Sequence, residues 1–100
     1  MKLRPGRVLI PDVTVFAPNE PDERFPAALP LVVIEILAPE DRHTEVHRKL
    51  QEYRQWGVPN IWLIDPELRK LYVFSAGLSE VPSYRLPEYE VEITPDEIFA

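Results

Sequence analysis

One hundred residues make one small domain near the lower end of independent folding, and a 45% hydrophobic content supports a core rather than disorder. No cysteine is present, which excludes disulfides and thiolate metal sites. Eleven Lys and Arg against seventeen Asp and Glu give a net charge of −6, a balance that disfavours strong non-specific nucleic-acid binding.

The opening "MKLRPGRVLIPD" lacks the apolar run of a signal peptide, and no segment approaches the ~20 apolar residues of a membrane span. A cytoplasmic location is expected. Val8 to Phe16 reads as a first strand, interrupted or bulged at Pro11. Beyond Pro11, Val13 and Val15 alternate with Asp12, Thr14 and Phe16, which gives the strand two distinct faces. Ala17 to Pro30 is a proline-rich acidic loop. Leu31 to Leu37, "LVVIEIL", is a second strand, apolar at six of its seven positions.

Pro39 to Gly57 is predicted as the main helix. Pro39, Glu40 and Asp41 supply start signals, Gly57 a stop, and Val46, Leu50 and Tyr53 one apolar face. Asn60 to Asp65 and Arg69 to Ser75 are third and fourth strands joined as a hairpin. Tyr84 to Ile93 offers one or two short strands, and "TPDEIF" a capped helical turn with Thr94 as cap. The second strand, the helix and the third strand form a βαβ unit, so those strands are expected to be parallel and the crossover right-handed.

Glu35 stands in the middle of the apolar second strand. A carboxylate in a dry interior is costly, so Glu35 points outward, is neutral, or meets a cation. Lys49 lies on the same helical stripe as Val46 and Tyr53, where a lysine needs an anionic destination. Asp12 can reach the same region if the first two strands are adjacent. Two carboxylates suit Mg²⁺, a hard cation that activates water and screens a phosphate. A lysine beside them orients or deprotonates that water, or stabilises the phosphorus centre. The set is sufficient for phosphodiester hydrolysis.

"IPD" followed by "IEIL" resembles the PD-(D/E)XK nuclease signature. The longer pattern from Arg7 to Phe74, above all "HRKLQEYRQWGVPNIWLIDP", resembles the Uma-two group of restriction-endonuclease-like proteins. The resemblance implies an α/β restriction-endonuclease-like core, a small mixed sheet with one main helix on a face. It implies Mg²⁺ (or Mn²⁺) held by Asp12, Glu35 and the carbonyl of Ile36, with Lys49 as the catalytic lysine and DNA as substrate. Leu37 stands where the commoner motif has its lysine, and Lys49 matches a position displaced onto the helix. Tyr53, Gly57, Trp62, Asp65 and Pro66 match the pattern as well. The group commonly has Ser where this chain has Ala38. It also carries a helix, a hairpin and often another acid ahead of the "PD" strand, whereas Met1 lies only eleven residues before Asp12. The single domain over 1–100 is therefore expected to be incomplete at its N-terminus, and a homodimer would cover the bare surface.

Other readings stand beside these. Glu35 and Lys49 can be a buried ion pair without chemistry, in a non-catalytic dimeric module that keeps the nuclease core. A regulator that binds nucleic acid without cutting it is a third reading. His43 and His47, at i and i+4, have a spacing that can bind metal, or lie on a solvated face. Asp65 reads as a turn-setting residue, Trp56 and Trp62 as core or interface aromatics, and Glu45 as a partner for Lys49.

Overall fold

The computed structural model describes residues 2–4, 7–8, 11–17 and 29–100. Its centre is a five-stranded mixed sheet in the order β3-β4-β5-β6-β7. The strands are β3 (Val13–Val15), β4 (Val32–Ile36), β5 (Asn60–Asp65), β6 (Lys70–Phe74) and β7 (Leu78–Val81). Ahead of it β1 (Lys2–Arg4) and β2 (Arg7–Val8) form a separate antiparallel ribbon. Of the predicted first strand, Val8 lies in that ribbon and Val13–Val15 in the central sheet, Leu9 and Ile10 lie outside the described residues, and Pro11 has no N–H to offer a ladder. Most of the predicted proline-rich loop, from 18 to 28, lies outside the described residues.

β4 and β5 are parallel, with Glu35 opposite Leu63, and every other pair in the sheet is antiparallel. A parallel neighbour requires a crossover. It is supplied by α1 (His43–Trp56). The helix begins four residues later than predicted. Asp41 does not enter its first turn; it folds back on Ala38, whose N–H donates to Asp41 Oδ2 at 2.8 Å. Arg42 then serves as the N-cap residue, in extended geometry.

The helix stops where predicted. Gly57 adopts φ 102°, ψ 12°, and its N–H returns to the carbonyls of Tyr53 and Arg54. A Cβ there would meet Leu29 at only 3.5 Å, an ordinary contact, so the penalty for a side chain is conformational. Gly57→Ala is expected to lower unfolding free energy by about 1 kcal/mol, read by urea denaturation. An unchanged midpoint would show that this turn tolerates a side chain.

Strand alternation divides the core into two layers. Val33, Ile61, Leu63 and Phe74 pack beneath Leu50 and Tyr53 of α1. Val32, Trp62, Ile64 and Leu71 face the other way. That second face is covered by an antiparallel ribbon of β8 (Tyr84–Leu86) and β9 (Val91–Ile93) and by Ile98 and Phe99 of α2 (Pro95–Phe99). The indole of Trp62 stacks on the ring of Tyr84, with centroids 4.1 Å apart and planes 1° from parallel. The Tyr84 hydroxyl donates toward the carbonyls of Leu63 (2.8 Å) and Tyr72 (2.9 Å) and accepts from the Tyr72 N–H (3.2 Å). Burial pushes its ionisation upward, so it stays a donor. Thr94 caps α2 in the predicted capping box with Glu97, whose carboxyl is held below its usual range by the Thr94 N–H and hydroxyl.

Among the described residues no helix is long and apolar enough to cross a membrane. The ribbon covers only part of the second face. Val13 and Val15 on β3 and Ile36 at the end of β4 remain substantially exposed.

Candidate metal centre

Glu35 sits on the helix-facing side of β4, two residues along the same face from Val33. It is only 6% exposed. Of the three possibilities open in the sequence, the structure shows the meeting with a cation. Lys49 Nζ lies 2.7 Å from Glu35 Oε1. Two further donors take the other oxygen: the Tyr53 hydroxyl at 3.1 Å and the backbone N–H of Asp12 at 3.2 Å. Each carboxylate oxygen thus has a partner, which is the condition for keeping it buried.

Lys49 and Tyr53 are one turn apart on α1, so both descend onto the same point of the sheet. From its spacing Tyr53 is part of an apolar stripe, and its match to the family pattern assigns it no role. The signal for more is there: whatever a lysine on that stripe reaches, a tyrosine four residues on also approaches. Burial first, then the charge and hydrogen bond of Glu35 and the charges of Asp12 and Glu52, push the Tyr53 hydroxyl far above the usual phenol range. It is a permanent donor to Glu35.

Asp12 immediately precedes β3, across from Glu35 in the continuation of the register that pairs Val13 with Ile34. Its own Oδ2 accepts the N–H of Ile36 at 2.7 Å. Asp12 and β4 therefore clasp each other: Asp12 N–H to Glu35, Ile36 N–H to Asp12. Leu37 N–H goes to Ile64 in β5 (2.8 Å), and backbone groups alternate sides along a strand. The N–H and C=O of Ile36 consequently both face the β3 side, where Asp12 stands. All four residues singled out by the resemblance thus meet at one end of the β3–β4 pair.

The fit to a cation follows from the donor chemistry. Two carboxylates and a strand carbonyl are all hard oxygen donors, the set that suits Mg²⁺ or Mn²⁺ rather than a thiophilic metal. Asp12 is exposed, leaving one side of the cluster open to solvent. The acids bring two negative charges and Lys49 one positive charge, so a net negative charge remains to receive a cation.

Among the described residues no cluster of three or more histidine or acidic side chains is placed to hold an ion, so His43 and His47 have no third side-chain ligand. His47 instead sets its ring edge-on against Phe74, centroids 5.3 Å apart. Glu45 pairs with Arg48 at 3.5 Å on the exposed side of α1 and not with Lys49, which is turned toward the sheet. Asp65 sets a turn as expected, its Oδ1 accepting the Leu68 N–H at 3.1 Å. Trp62 is a core aromatic.

Comparison with known proteins adds three findings. A family model, Uma2, described as "Putative restriction endonuclease", matches residues 1–100. A crystal structure from Anabaena variabilis, described as "a putative nuclease belonging to DUF820", superimposes with a TM-score of 0.57 at 23% identity. The match covers 71% of this chain and 44% of that one, so the chain spans less than half the length of that protein. No curated protein matches the chain. At such identity the likeness concerns the fold: a mixed sheet with one main helix in a nuclease-like arrangement.

Proposed function

The chain belongs to the Uma2 family, and from that premise we propose that it is a Mg²⁺-dependent DNA endonuclease of the cytoplasm, built as a single PD-(D/E)XK-like domain. The observation that carries the proposal is the convergence of Asp12, Glu35, the Ile36 backbone and Lys49 on one partly open point. Asp12, Glu35 and the Ile36 carbonyl would hold Mg²⁺ or Mn²⁺. Such a cation supplies an acidified water and a counter-charge for the phosphate.

The chain's own groups do the rest. Tyr53 and the Asp12 N–H fix the rotamer of Glu35, so its carboxylate presents one orientation. Lys49, one-third exposed, reaches from the helix to the edge of the acid cluster. There its ammonium neutralises charge building on phosphate oxygens, or holds the attacking water by a hydrogen bond. The test is calorimetric titration of Mg²⁺ and Mn²⁺. Saturable binding at millimolar metal is expected; a flat isotherm would sink the metal centre.

A second reading has its own support. Lys49, Tyr53 and the Asp12 N–H together satisfy Glu35 without any metal, and Val13, Val15 and Ile36 form an exposed apolar surface on the β3–β4 edge. Both suit a non-catalytic dimeric module that retains the nuclease core. Lys49→Met separates the two. It removes the cation from a buried carboxylate and is expected to cost about 2 kcal/mol of stability on either reading. Only the nuclease reading also expects loss of metal-dependent DNA cleavage. A mutant as stable as the wild type would refute the structural role of the pair.

A further inference from the structure

Between the first turns of α1 and strands β5 to β7 lies a cleft of about 300 Å³. Its floor continues the cross-strand row that starts at Glu35, since Glu35 pairs with Leu63, and Leu63 with Tyr72. Both Leu63 and Tyr72 line the cleft. Its roof carries the imidazoles of His43 and His47, one turn apart. At the end stands Asp65, only 9% exposed. Its orientation is set by the Leu68 N–H, and Lys70, its cross-strand partner, turns away to Glu80 at 3.7 Å. A second chamber of about 260 Å³ continues past His43 and Asp65.

We propose that this cleft receives one unstacked nucleobase bearing an amino or ring N–H donor, with Asp65 as the acceptor. The proposal rests on the nuclease reading and names how its substrate is gripped. Four observations carry it. The row geometry sets Leu63 one strand spacing, about 4.8 Å, and Tyr72 two spacings from Glu35, so a base on that floor belongs to a nucleotide within reach of the acid cluster. The volume sits at the lower bound of about 300–1,000 Å³ for small-molecule pockets, enough for a ring system. Apolar side chains below and imidazole groups at the rim give a planar heterocycle apolar and aromatic neighbours, and a carboxylate suits its donor edge. Finally, a chain of net charge −6 gains little from phosphate contacts and needs affinity from bases.

The experiment uses a short DNA single strand with guanine, cytosine or adenine at its centre. The control is the same strand with an abasic centre, and no metal is added. Imidazole resonances of His43 and His47 are expected to shift with the base-bearing strands and not with the abasic one. Asp65→Asn keeps an oxygen for the Leu68 N–H but turns the second acceptor into a donor; about tenfold weaker binding is expected. Leu78→Trp, at an exposed position of the rim, fills the cleft from β7 and is expected to abolish the shifts, which decides the matter if Asp65→Asn fails to fold. Equal shifts with the abasic strand, or wild-type binding by both variants, would overturn the proposal. Base-dependent shifts without metal-dependent cleavage uphold the pocket and overturn the nuclease reading. Cleavage without shifts overturns the pocket alone.

Discussion

Glu35→Gln and Asp12→Asn each abolish metal-dependent DNA cleavage while the protein stays folded: this is the largest effect the structure leads us to expect. Both substitutions keep size and one acceptor oxygen. The new amide oxygen at position 12 can still accept from the Ile36 N–H, and the one at position 35 from Tyr53 and the Asp12 N–H. What the substitutions remove is charge. A loss of roughly 10³-fold or more in cleavage rate is expected, the scale seen when a group acting directly on transition-state charge is deleted. The cost in stability is smaller, about 1–2 kcal/mol for Glu35→Gln, because the amide must set an N–H₂ group against either the Lys49 ammonium or the donors on the other side. Plasmid nicking in Mg²⁺, with denaturation curves on the same samples, separates the two quantities. Cleavage that survives both substitutions would place the chemistry elsewhere.

The second large effect concerns the fold. Trp62→Ala is expected to cost about 3–5 kcal/mol, a large fraction of the ~5–15 kcal/mol that holds a domain together. Trp62 is buried in β5 and stacked flat on Tyr84, so its loss opens a cavity between the sheet and the covering ribbon. The partner ring loses its stacking face at the same time. The same ribbon is held by the Tyr84 hydroxyl on the backbone of β5 and β6. A urea midpoint is the measurement. A shift below 1 kcal/mol would mean that the ribbon is not part of the cooperative unit.

The parts of the fold legible in the sequence are those whose signals are local. β5 is readable to the residue, since "NIWLID" is bounded by Pro59 at one end and Pro66 at the other. The Gly57 stop and the Thr94 capping box depend on single residues with one conformational meaning. The convergence of Glu35 and Lys49 is legible because each is anomalous alone, an acid in an apolar strand and a base in an apolar stripe. What stays hidden depends on long-range placement. β7 escapes a sequence reading because "LSEV" shows no strong alternation, and its strand character comes from pairing with β6 at the sheet edge. The helix start is misplaced because Asp41 has two uses, first-turn charge or turn closure on Ala38, and only the path of the chain selects one. The clasp between Asp12 and β4 uses backbone N–H groups, which no sequence pattern marks.

That clasp has a consequence for the edge of the sheet. β3 makes only three registered pairs, Val13, Thr14 and Val15 with Ile34, Val33 and Val32. Valines two apart present the same face, so a slip of two residues would put a valine where a valine was and satisfy the hydrophobic pattern equally well. The side chains of Asp12 and Glu35 break that degeneracy, because only one alignment lets the Glu35 carboxylate accept from the Asp12 N–H while the Asp12 carboxylate accepts from the Ile36 N–H. The acids that would perform the chemistry are therefore also the key that indexes the outer strand. Alanine at either position erases the index, and an inactive alanine variant would report two losses at once.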